Sequence, residues 1–271
     1  MKKTKKVLYS CITGGYDNIP VHKYVAPDWD YVLFTDNADL IKAGHFAHWT
    51  IRPLVFDKLT NVKNSRWHKV NPHKLFPEYD YSLYLDANII VNNDNLFKLA
   101  DNLIKQNVLF AVPNHPQRTC CYAEAEIIKS LKIDYPETVD AEMAVLRKDK
   151  YPENNGLSEN NILFRQHNKI PEMLDLWWYM IEKYSKRDQL SFNYALWKTN
   201  TPHTPIYTDE NGFGMHRNCS DFTFVVSQSH DQNKIPSKRP SKVWKFIVKL
   251  IGCFIPVKKY RKLVKQKLMG K

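Results

Sequence analysis

Short apolar runs alternate with amphipathic stretches along the first half of the chain. Residues 7–12 form an apolar run that leads into Gly14 and Gly15, and this pattern predicts a buried strand followed by a tight loop. Further apolar runs predict strands at residues 29–35, 49–56, 81–85 and 108–112. Helical spacing of apolar residues predicts helices at residues 64–76, 96–106, 124–131, 171–184 and 191–198. This alternation predicts an α/β domain with a mostly parallel central sheet flanked by helices.

The net charge is carried by the C-terminal end of the chain. The 271 residues have a formal charge of +12, and residues 237–271 hold twelve Lys or Arg and no acid, so the preceding part is formally neutral. A neutral body argues against binding to nucleic acid through a basic folded surface. Basic residues interleaved with Trp244, Ile247 and Ile251 predict an amphipathic helical tail, residues 236–271, that binds an anionic membrane surface. A tail helix that packs on the body or in a dimer is the alternative.

The composition and the cysteine count disfavour several other classes of protein. Hydrophobic residues make up 43% and charged residues 25%, as in ordinary globular proteins. The five cysteines are odd in number and include no Cys-x-x-Cys pair, which disfavours a disulfide framework or a zinc site and favours a reducing cytoplasm. The apolar run after the basic start is too short for a signal peptide. A run of about 18 uncharged apolar residues, which a membrane-spanning helix needs, does not occur.

Two oxygen-bearing side chains, Asp86 and Asn88, directly follow the predicted strand at residues 81–85. In open α/β sheets, ligands bind beyond the carboxyl ends of the strands. Carboxylate and amide oxygens can hold a hard divalent cation, and such a cation would bridge a diphosphate. Asp-x-Asn is also a common turn sequence, so its position at the strand end is what favours a binding site.

Two further groups combine charge with a position at the start of a helix or on one helix face. Arg66, Lys69 and His73 are spaced by three and four residues, which places them on one face of the predicted helix. That face could hold a nucleotide diphosphate or could simply be solvated. Asp188 and Gln189 come just before another predicted helix, where they could contact a transferred sugar or an acceptor. Asp188 could equally act as the N-terminal cap of that helix.

Several polar residues later in the chain have weaker signals of their own. His115 and Arg118 follow the predicted strand that ends at Val112, so they should lie near the same edge of the sheet. His216 and His230 fall in the polar, loop-rich end of the fold and could complete a metal site, because imidazole also binds manganese. Each histidine could instead be a surface or packing residue.

Taken in order, these segments resemble the TOD1/MUCI70 glycosyltransferase-like family. The resemblance covers about residues 5–230. It rests on Thr13-Gly14-Gly15-Tyr16-Asp17, residues 29–36, Arg66-x-x-Lys69-x-x-Pro72-His73, Asp86-Ala87-Asn88, residues 115–125 and residues 187–192.

The resemblance implies a GT-A type nucleotide-diphospho-sugar transferase fold over residues 1–235, with a sugar nucleotide donor and Mn²⁺ or Mg²⁺. The implied catalytic residues are Asp86, Asp188 and Gln189. The residues implied in donor binding are Thr13, Gly14, Gly15, Tyr16, Asp17, Asp36, Arg66, Lys69, His73, His115 and Arg118. The implied metal ligands are Asp86, Asn88, His216 and His230. Asn88 stands where the family's Asp-x-Asp site has its second acid, and its single neutral oxygen would bind a metal more weakly.

Residues 241–271 resemble the C-terminal segment of many bacterial lipopolysaccharide and capsule glycosyltransferases. Together these resemblances imply a cytoplasmic enzyme, peripheral on the inner membrane, that serves bacterial surface-polysaccharide synthesis. It would move a sugar from a nucleotide-diphosphate donor to a glycan or lipid-linked acceptor. The alternative hypothesis is a non-catalytic protein on the same fold that binds a sugar nucleotide or a membrane surface, and Asn88 favours this alternative.

Overall fold

An eight-stranded sheet crosses the part of the chain that the computed structural model describes, residues 4–225. The predicted tail, residues 236–271, and His230 lie outside these residues. In chain order the strands are β1 (Lys6–Ile12), β2 (Asp30–Thr35), β3 (His45–Phe46), β4 (Trp49–Pro53), β5 (Tyr81–Leu85), β6 (Ile89–Val91), β7 (Phe110–Pro113), β8 (Ile162–Arg165), β9 (Thr204–Ile206) and β10 (Phe222–Phe224). The sheet order is β3-β4-β2-β1-β5-β8-β7-β9, and β6 pairs with β10 in a separate ribbon.

The central strands run parallel. β4, β2, β1 and β5 are parallel neighbours, and β7 is parallel to β9. β8 lies between β5 and β7 and is antiparallel to both, so β5 and β7 point the same way. Strands that are buried on both faces read as continuous apolar runs, which is why the strand prediction succeeded for this part of the chain. The prediction of an α/β fold with a mostly parallel sheet is confirmed.

Helices cover both faces of the sheet. They are α1 (Ala38–Ala43), α2 (Asn61–Val70), α3 (Pro72–Leu75), α4 (Asn95–Lys105), α5 (Cys121–Ser130), α6 (Pro136–Lys148), α7 (Pro171–Lys183) and α8 (Gln189–Lys198). Alternate residues of β1 enter different cores: Leu8 packs with Leu96 and Phe97 of α4, and Tyr9 packs in the core that holds Trp177 of α7. In the described residues, no helix is long and apolar enough to span a bilayer.

The predicted helix at residues 64–76 is in fact two helices. α2 ends at Val70, and α3 begins at Pro72. Proline has no backbone N–H and clashes with the preceding helical turn, so it favours the first position of a new helix. Asn71 sits at the break, and its Nδ2 donates to the carbonyl of Trp67 at 2.9 Å. The break moves His73 off the face that carries Arg66 and Lys69.

A buried arginine connects β8 to the centre of the sheet. The guanidinium of Arg165 is fully buried; its Nη1 donates to the Lys69 carbonyl at 2.6 Å and its Nη2 to the Tyr9 hydroxyl at 2.7 Å. The Tyr9 hydroxyl in turn donates to the same carbonyl at 2.9 Å. These bonds fix the last turn of α2 against β1 and β8.

Helix α6, for which the sequence analysis predicts no element, carries a fully buried acid. Glu142 Oε2 accepts from the backbone N–H of Ser185 at 3.2 Å, and the Ser185 hydroxyl donates to Asp134 at 2.8 Å. Burial raises the pKa of Glu142 from 4.5 to about 8, and its hydrogen bonds and the nearby Lys63 offset only part of that effect. The carboxyl of Glu142 is therefore protonated at neutral pH, and it holds the segment that leads into α8.

The raised pKa of Glu142 gives the folding free energy a defined pH dependence. Between pH 4.5 and about 8 the folded chain keeps a proton that the unfolded chain releases, so stability falls as pH rises through this window. We expect Glu142→Gln to reduce this loss, measured as the difference between urea-unfolding free energies at pH 5 and pH 8. Glu137→Gln, an exposed site on the same helix, is the matched control and should leave the difference unchanged. An equal loss in wild type and Glu142→Gln would contradict the assignment.

Candidate functional site

A cleft of about 620 Å³ opens at the carboxyl ends of β1 and β5. Its walls come from the loop after β1, the first turns of α2, the turn after β5, the segment before β8 and the segment before α8. Ten of the residues singled out from the sequence line it: Thr13, Gly14, Tyr16, Asp17, Arg66, Lys69, Asp86, Asn88, Asp188 and Gln189. The structure thus brings the predicted loop, strand end and helix start together.

The remaining predicted residues that the structure describes do not line this cleft. Asp36 instead holds the loop after β1, because its Oδ2 accepts from the Gly14 N–H at 2.7 Å. Gly15 lies beside Gly14 in the same loop. His73 Nε2 lies 3.2 Å from Asp175 Oδ1 instead. His115 Nδ1 accepts from the Arg118 N–H at 3.1 Å, within a cluster separate from the cleft lining.

Arg118 is held in that cluster by an acid. Its Nε donates to Glu124 Oε2 at 2.6 Å, and the Glu124 side chain is almost completely buried. Burial also lowers the pKa of His115, so its ring is neutral at pH 7 and accepts hydrogen bonds from the turn it caps. These contacts give His115 and Arg118 a role in the turn before α5.

The loop after β1 depends on a glycine. Gly14 has φ +64°, and a Cβ there would lie 2.1 Å from Nδ2 of Asn61. Any other residue would meet both the left-handed backbone conformation and this side chain. The Thr13 hydroxyl donates to the Asn61 carbonyl at 2.8 Å. The loop therefore packs directly on the first turn of α2.

Buried ion pairs form the floor of the cleft. Lys69 Nζ lies 2.8 Å from Asp188 Oδ2 and 3.3 Å from Asp86 Oδ1, and Arg66 Nε lies 3.3 Å from Asp188 Oδ1. The side chains of Lys69 and Asp188 are 2% and 4% exposed, whereas that of Asp86 is 31% exposed. Arg66 and Lys69 reach the same acid because they are three residues apart on α2.

The cations keep Asp188 ionised. Burial alone would raise the pKa of this carboxyl, but the charges of Arg66 and Lys69 lower it well below its ordinary value. A carboxylate with so low a pKa is a weak proton acceptor. Asp188 stands at the first position before α8, but its side chain makes no capping hydrogen bond, and its carbonyl accepts from Trp177 Nε1 at 2.9 Å. Its carboxylate is thus committed to the cations of α2.

Glu159 is a cleft residue that the sequence analysis missed. Its Oε1 accepts from Arg217 Nε at 2.8 Å, and its Oε2 lies 3.2 Å from Nε2 of the fully buried His216. Burial would raise the pKa of Glu159, but the contacts with His216 and Arg217 outweigh it and lower the pKa to about 2. The structure therefore places His216 against an acid that lines the cleft, and not among the lining residues themselves.

Asn160 and Asn161 were missed as well. Their side chains line the cleft, and the residues are only 2% and 5% exposed. The backbone carbonyl of Asn161 accepts from the Asp86 N–H at 2.9 Å, which joins this segment to the turn after β5. Two adjacent amides immediately before the apolar run of β8 are the signal that could have indicated them.

Asp86 and Asn88 suit a divalent cation that takes some of its ligands from the protein and the others from a bound substrate. Mg²⁺ is commonly held by one or two protein oxygens together with substrate phosphates, and a carboxylate followed by an amide oxygen fits that chemistry. Within residues 4–225 no group of three or more His, Cys, Asp or Glu side chains is arranged to hold a metal. Lys69 already brings one positive charge to Asp86 Oδ1.

The fold and the cleft define an α/β domain with a polar ligand site at the carboxyl edge of its sheet. Residues 1–230 match the family described as TOD1/MUCI70, glycosyltransferase-like domain, and the chain belongs to this family. The probable hexosyltransferase MUCI70 of Arabidopsis thaliana is 25% identical over 190 residues, which cover 66% of this chain and 32% of that protein. The chain therefore spans about a third of the length of this curated relative.

Solved structures show a more distant likeness. Apo mouse xyloside xylosyltransferase 1 is 11% identical, with a TM-score of 0.42 over 75% of this chain and 84% of that one. The apo bifunctional glycosyltransferase WbbM is 12% identical, with a TM-score of 0.44 over 76% and 39% of the two chains. TarS of S. aureus is 9% identical, with a TM-score of 0.42 over 98% and 43%.

The ion pairs at the cleft floor give a testable stability difference. We expect Lys69→Met to cost about 3–5 kcal/mol of unfolding free energy, because it leaves buried Asp188 with one cation fewer. Lys74→Met is the matched control; Lys74 pairs with Asp175 through side chains that are about half exposed, and it should cost below about 1 kcal/mol. The measurement is urea unfolding of both variants.

A double variant separates the energy of the ion pair from the effect of changing the side-chain volumes. Lys69→Met combined with Asp188→Asn should cost less than the sum of the two single variants, because the second change removes the uncompensated charge that the first one leaves. Additive costs, or a Lys69→Met cost no larger than that of Lys74→Met, would show that the pair is not energetically coupled.

Proposed function

We propose that this chain transfers a sugar from a nucleotide-diphosphate donor to a glycan or lipid-linked acceptor. The observation that carries the proposal is the meeting of three features in one cleft: a glycine loop after β1, a carboxylate–amide turn after β5 and a cation pair on α2. Membership of the glycosyltransferase-like family and the GT-A type fold that it implies support the same reaction class.

The loop after β1 would bind the nucleoside. Gly14 allows the loop backbone to approach α2 without a side chain in between, and Tyr16 and Asp17 line the cleft beside it. Asp36 would hold the loop in place through its bond to the Gly14 N–H. Asp17 offers a carboxylate to ribose hydroxyls.

The diphosphate would meet cations on two sides of the cleft. Lys69 and Arg66 supply fixed positive charge, which stabilises the negative charge that develops on the leaving nucleotide. Arg187 is a third cation of the lining: its Nη2 donates to the Gln189 amide oxygen at 2.5 Å, and its buried Nε, like that of Arg66, has no hydrogen-bond partner among the described residues. A guanidinium in this state suits a phosphate oxygen. Gln189 would share the contact with the donor.

Asp86 and Asn88 would hold Mn²⁺ or Mg²⁺, and the ion would add Lewis-acid stabilisation at the leaving diphosphate. Asp188 would act as a positioning residue that keeps Lys69 and Arg66 in place. Its low pKa makes it unsuited to removing the proton of an acceptor hydroxyl. The alternative function, non-catalytic binding of a sugar nucleotide, is favoured by Asn88, because the amide replaces an acid at the metal site.

Release of nucleoside diphosphate separates the two functions. With Mn²⁺ or Mg²⁺ and a panel of nucleotide-diphospho-sugars, the wild-type chain should release nucleoside diphosphate from at least one donor. Asp86→Asn should lower that rate about 10²–10³-fold, because it removes the carboxylate that would hold the metal ion, and with it the positive charge that would stabilise the leaving diphosphate. Asp39→Asn, at an exposed site on α1, should leave it unchanged. Unchanged release by Asp86→Asn would refute its role, and binding without release by wild type would establish the alternative.

We further propose that residues 236–271, which lie outside the described part, hold the enzyme on an anionic membrane. The support is the charge pattern: twelve Lys or Arg without an acid in residues 237–271, interleaved with apolar side chains. Each basic residue near anionic lipid contributes about 1 kcal/mol. Such a surface fits a cytoplasmic enzyme, peripheral on the inner membrane, that acts on lipid-linked acceptors in bacterial surface-polysaccharide synthesis.

Vesicle co-sedimentation tests the tail. The full chain should bind phosphatidylglycerol vesicles at low salt and less at high salt, because the Debye length falls from about 10 Å at 0.1 M to about 3 Å at 1 M. A chain that ends at residue 235, before the predicted tail, should stay folded and lose this binding. Phosphatidylcholine vesicles are the control for charge. Equal binding by the two chains would contradict the proposal.

A further inference from the structure

Four buried polar atoms in one wall of the cleft have no hydrogen-bond partner within residues 4–225. They are the side-chain oxygen and nitrogen of Asn160 and of Asn161. Most buried side-chain polar atoms in folded proteins are hydrogen-bonded, and leaving one unpaired costs about 1–3 kcal/mol. Two adjacent residues with both amide atoms unpaired are therefore a costly arrangement, unless something else that enters the cleft completes their bonds.

The backbone of this segment leaves the two residues little freedom to turn away. The Asn161 N–H donates to the Glu159 carbonyl at 2.8 Å, and the Asn161 carbonyl accepts from the Asp86 N–H at 2.9 Å. Ile162 then begins β8, which is fixed against β5. Both residues line the cleft together with Glu159 and Gln189. The unpaired amides thus belong to a turn whose backbone is fixed to the end of β5 and to the start of β8.

The chemistry of this wall fits a hydroxyl-rich ligand. Each amide offers two N–H donors and one oxygen acceptor, and a sugar hydroxyl is itself both a donor and an acceptor. The neighbouring carboxylate of Glu159 is engaged by Arg217 and His216, and the positive charge of Arg217 offsets its own charge. The backbone link to Asp86 places the wall beside the turn assigned to the diphosphate.

We propose that Asn160 and Asn161 bind the hydroxyl groups of the sugar carried by the donor. The inference rests on the proposed function, because it takes the donor to be a nucleotide-diphospho-sugar. It adds two residues that touch the transferred sugar itself, separate from those that hold the nucleotide.

The test compares each nucleoside diphosphate with its own sugar conjugates. Affinities for UDP, UDP-glucose, UDP-galactose, UDP-glucuronic acid, GDP and GDP-mannose are measured by calorimetry on the full chain. In wild type, at least one sugar conjugate should bind more tightly than its parent diphosphate. Asn160→Ala and Asn161→Ala should each lower the gain from that sugar about three- to tenfold, which is the effect of losing a neutral hydrogen bond. Affinity for the diphosphate alone should stay unchanged.

Thermal unfolding of the free protein distinguishes binding from a structural role. Since the amides have no partner in the described part of the chain, each alanine variant should unfold at a temperature equal to or above that of wild type. Asn102→Ala, an exposed site on α4, is the matched control and should change neither stability nor affinity. Asn160→Ser and Asn161→Ser keep one hydrogen-bonding group in place and should give intermediate affinities.

The outcomes separate this inference from the function on which it rests. If wild type gains affinity from a sugar and both alanine variants retain the full gain, the inference is overturned while the proposed function stands. The inference also fails if the variants lose diphosphate affinity and stability together, because that marks a structural role. If no diphosphate or conjugate binds the wild-type chain, the proposed function itself fails.

Discussion

The contacts of Lys69 determine the geometry of the cleft. Its ammonium group contacts Asp188 before α8 and Asp86 after β5, and the Lys69 side chain is almost completely buried. Its backbone carbonyl accepts from Arg165 of β8 and from the Tyr9 hydroxyl of β1. One residue of α2 thereby connects β1, the turn after β5, the antiparallel strand β8 and the segment that leads into α8. A shift in any of these elements would move the charges at the cleft floor.

Stability alone does not account for such an arrangement. A buried ion pair gains little over well-packed apolar residues of similar volume, because the cost of removing two charges from water offsets most of their attraction. The pair of Lys69 and Asp86 is only partly buried, since the Asp86 side chain is 31% exposed while Lys69 is almost completely enclosed. The arrangement keeps a fixed positive charge in contact with a carboxylate that lines the cleft. Fixed charge at a site of developing negative charge is a main source of catalytic stabilisation, because it needs no reorganisation during the reaction.

The sequence predicted those parts of the site that depend on local pattern. Asp86 and Asn88 were found because a buried parallel strand and the turn after it are both encoded within a few residues. Arg66 and Lys69 were found because helical spacing fixes which residues share a face. His73 followed the same spacing but lies on another helix, since Pro72 starts a new one. Its ring instead contacts Asp175.

The sequence could not predict the cleft wall that residues 159–161 contribute, because they are far along the chain from Asp86. Glu159 and the two asparagines reach Asp86 only because β8 inserts antiparallel between β5 and β7, and no local pattern specifies that insertion. Arg217 then approaches Glu159 from beyond β9. Pairings of this kind depend on which strand edge is free when the sheet forms, and that is a property of the whole fold.

The charged groups and the amides of this cleft differ in how the protein satisfies them. Lys69, Asp188 and Glu159 are engaged in ion pairs inside the protein, so they are held in place and would change little when a ligand binds. The amides of Asn160 and Asn161 have no hydrogen-bond partner among the residues that the structure describes, and they would gain bonds from a ligand. The ion pairs preserve the geometry of the site, whereas unpaired amides raise the free energy of the empty state relative to the bound one. The protein thus gives up stability where a ligand can restore it, and keeps its charges neutralised where a ligand could not.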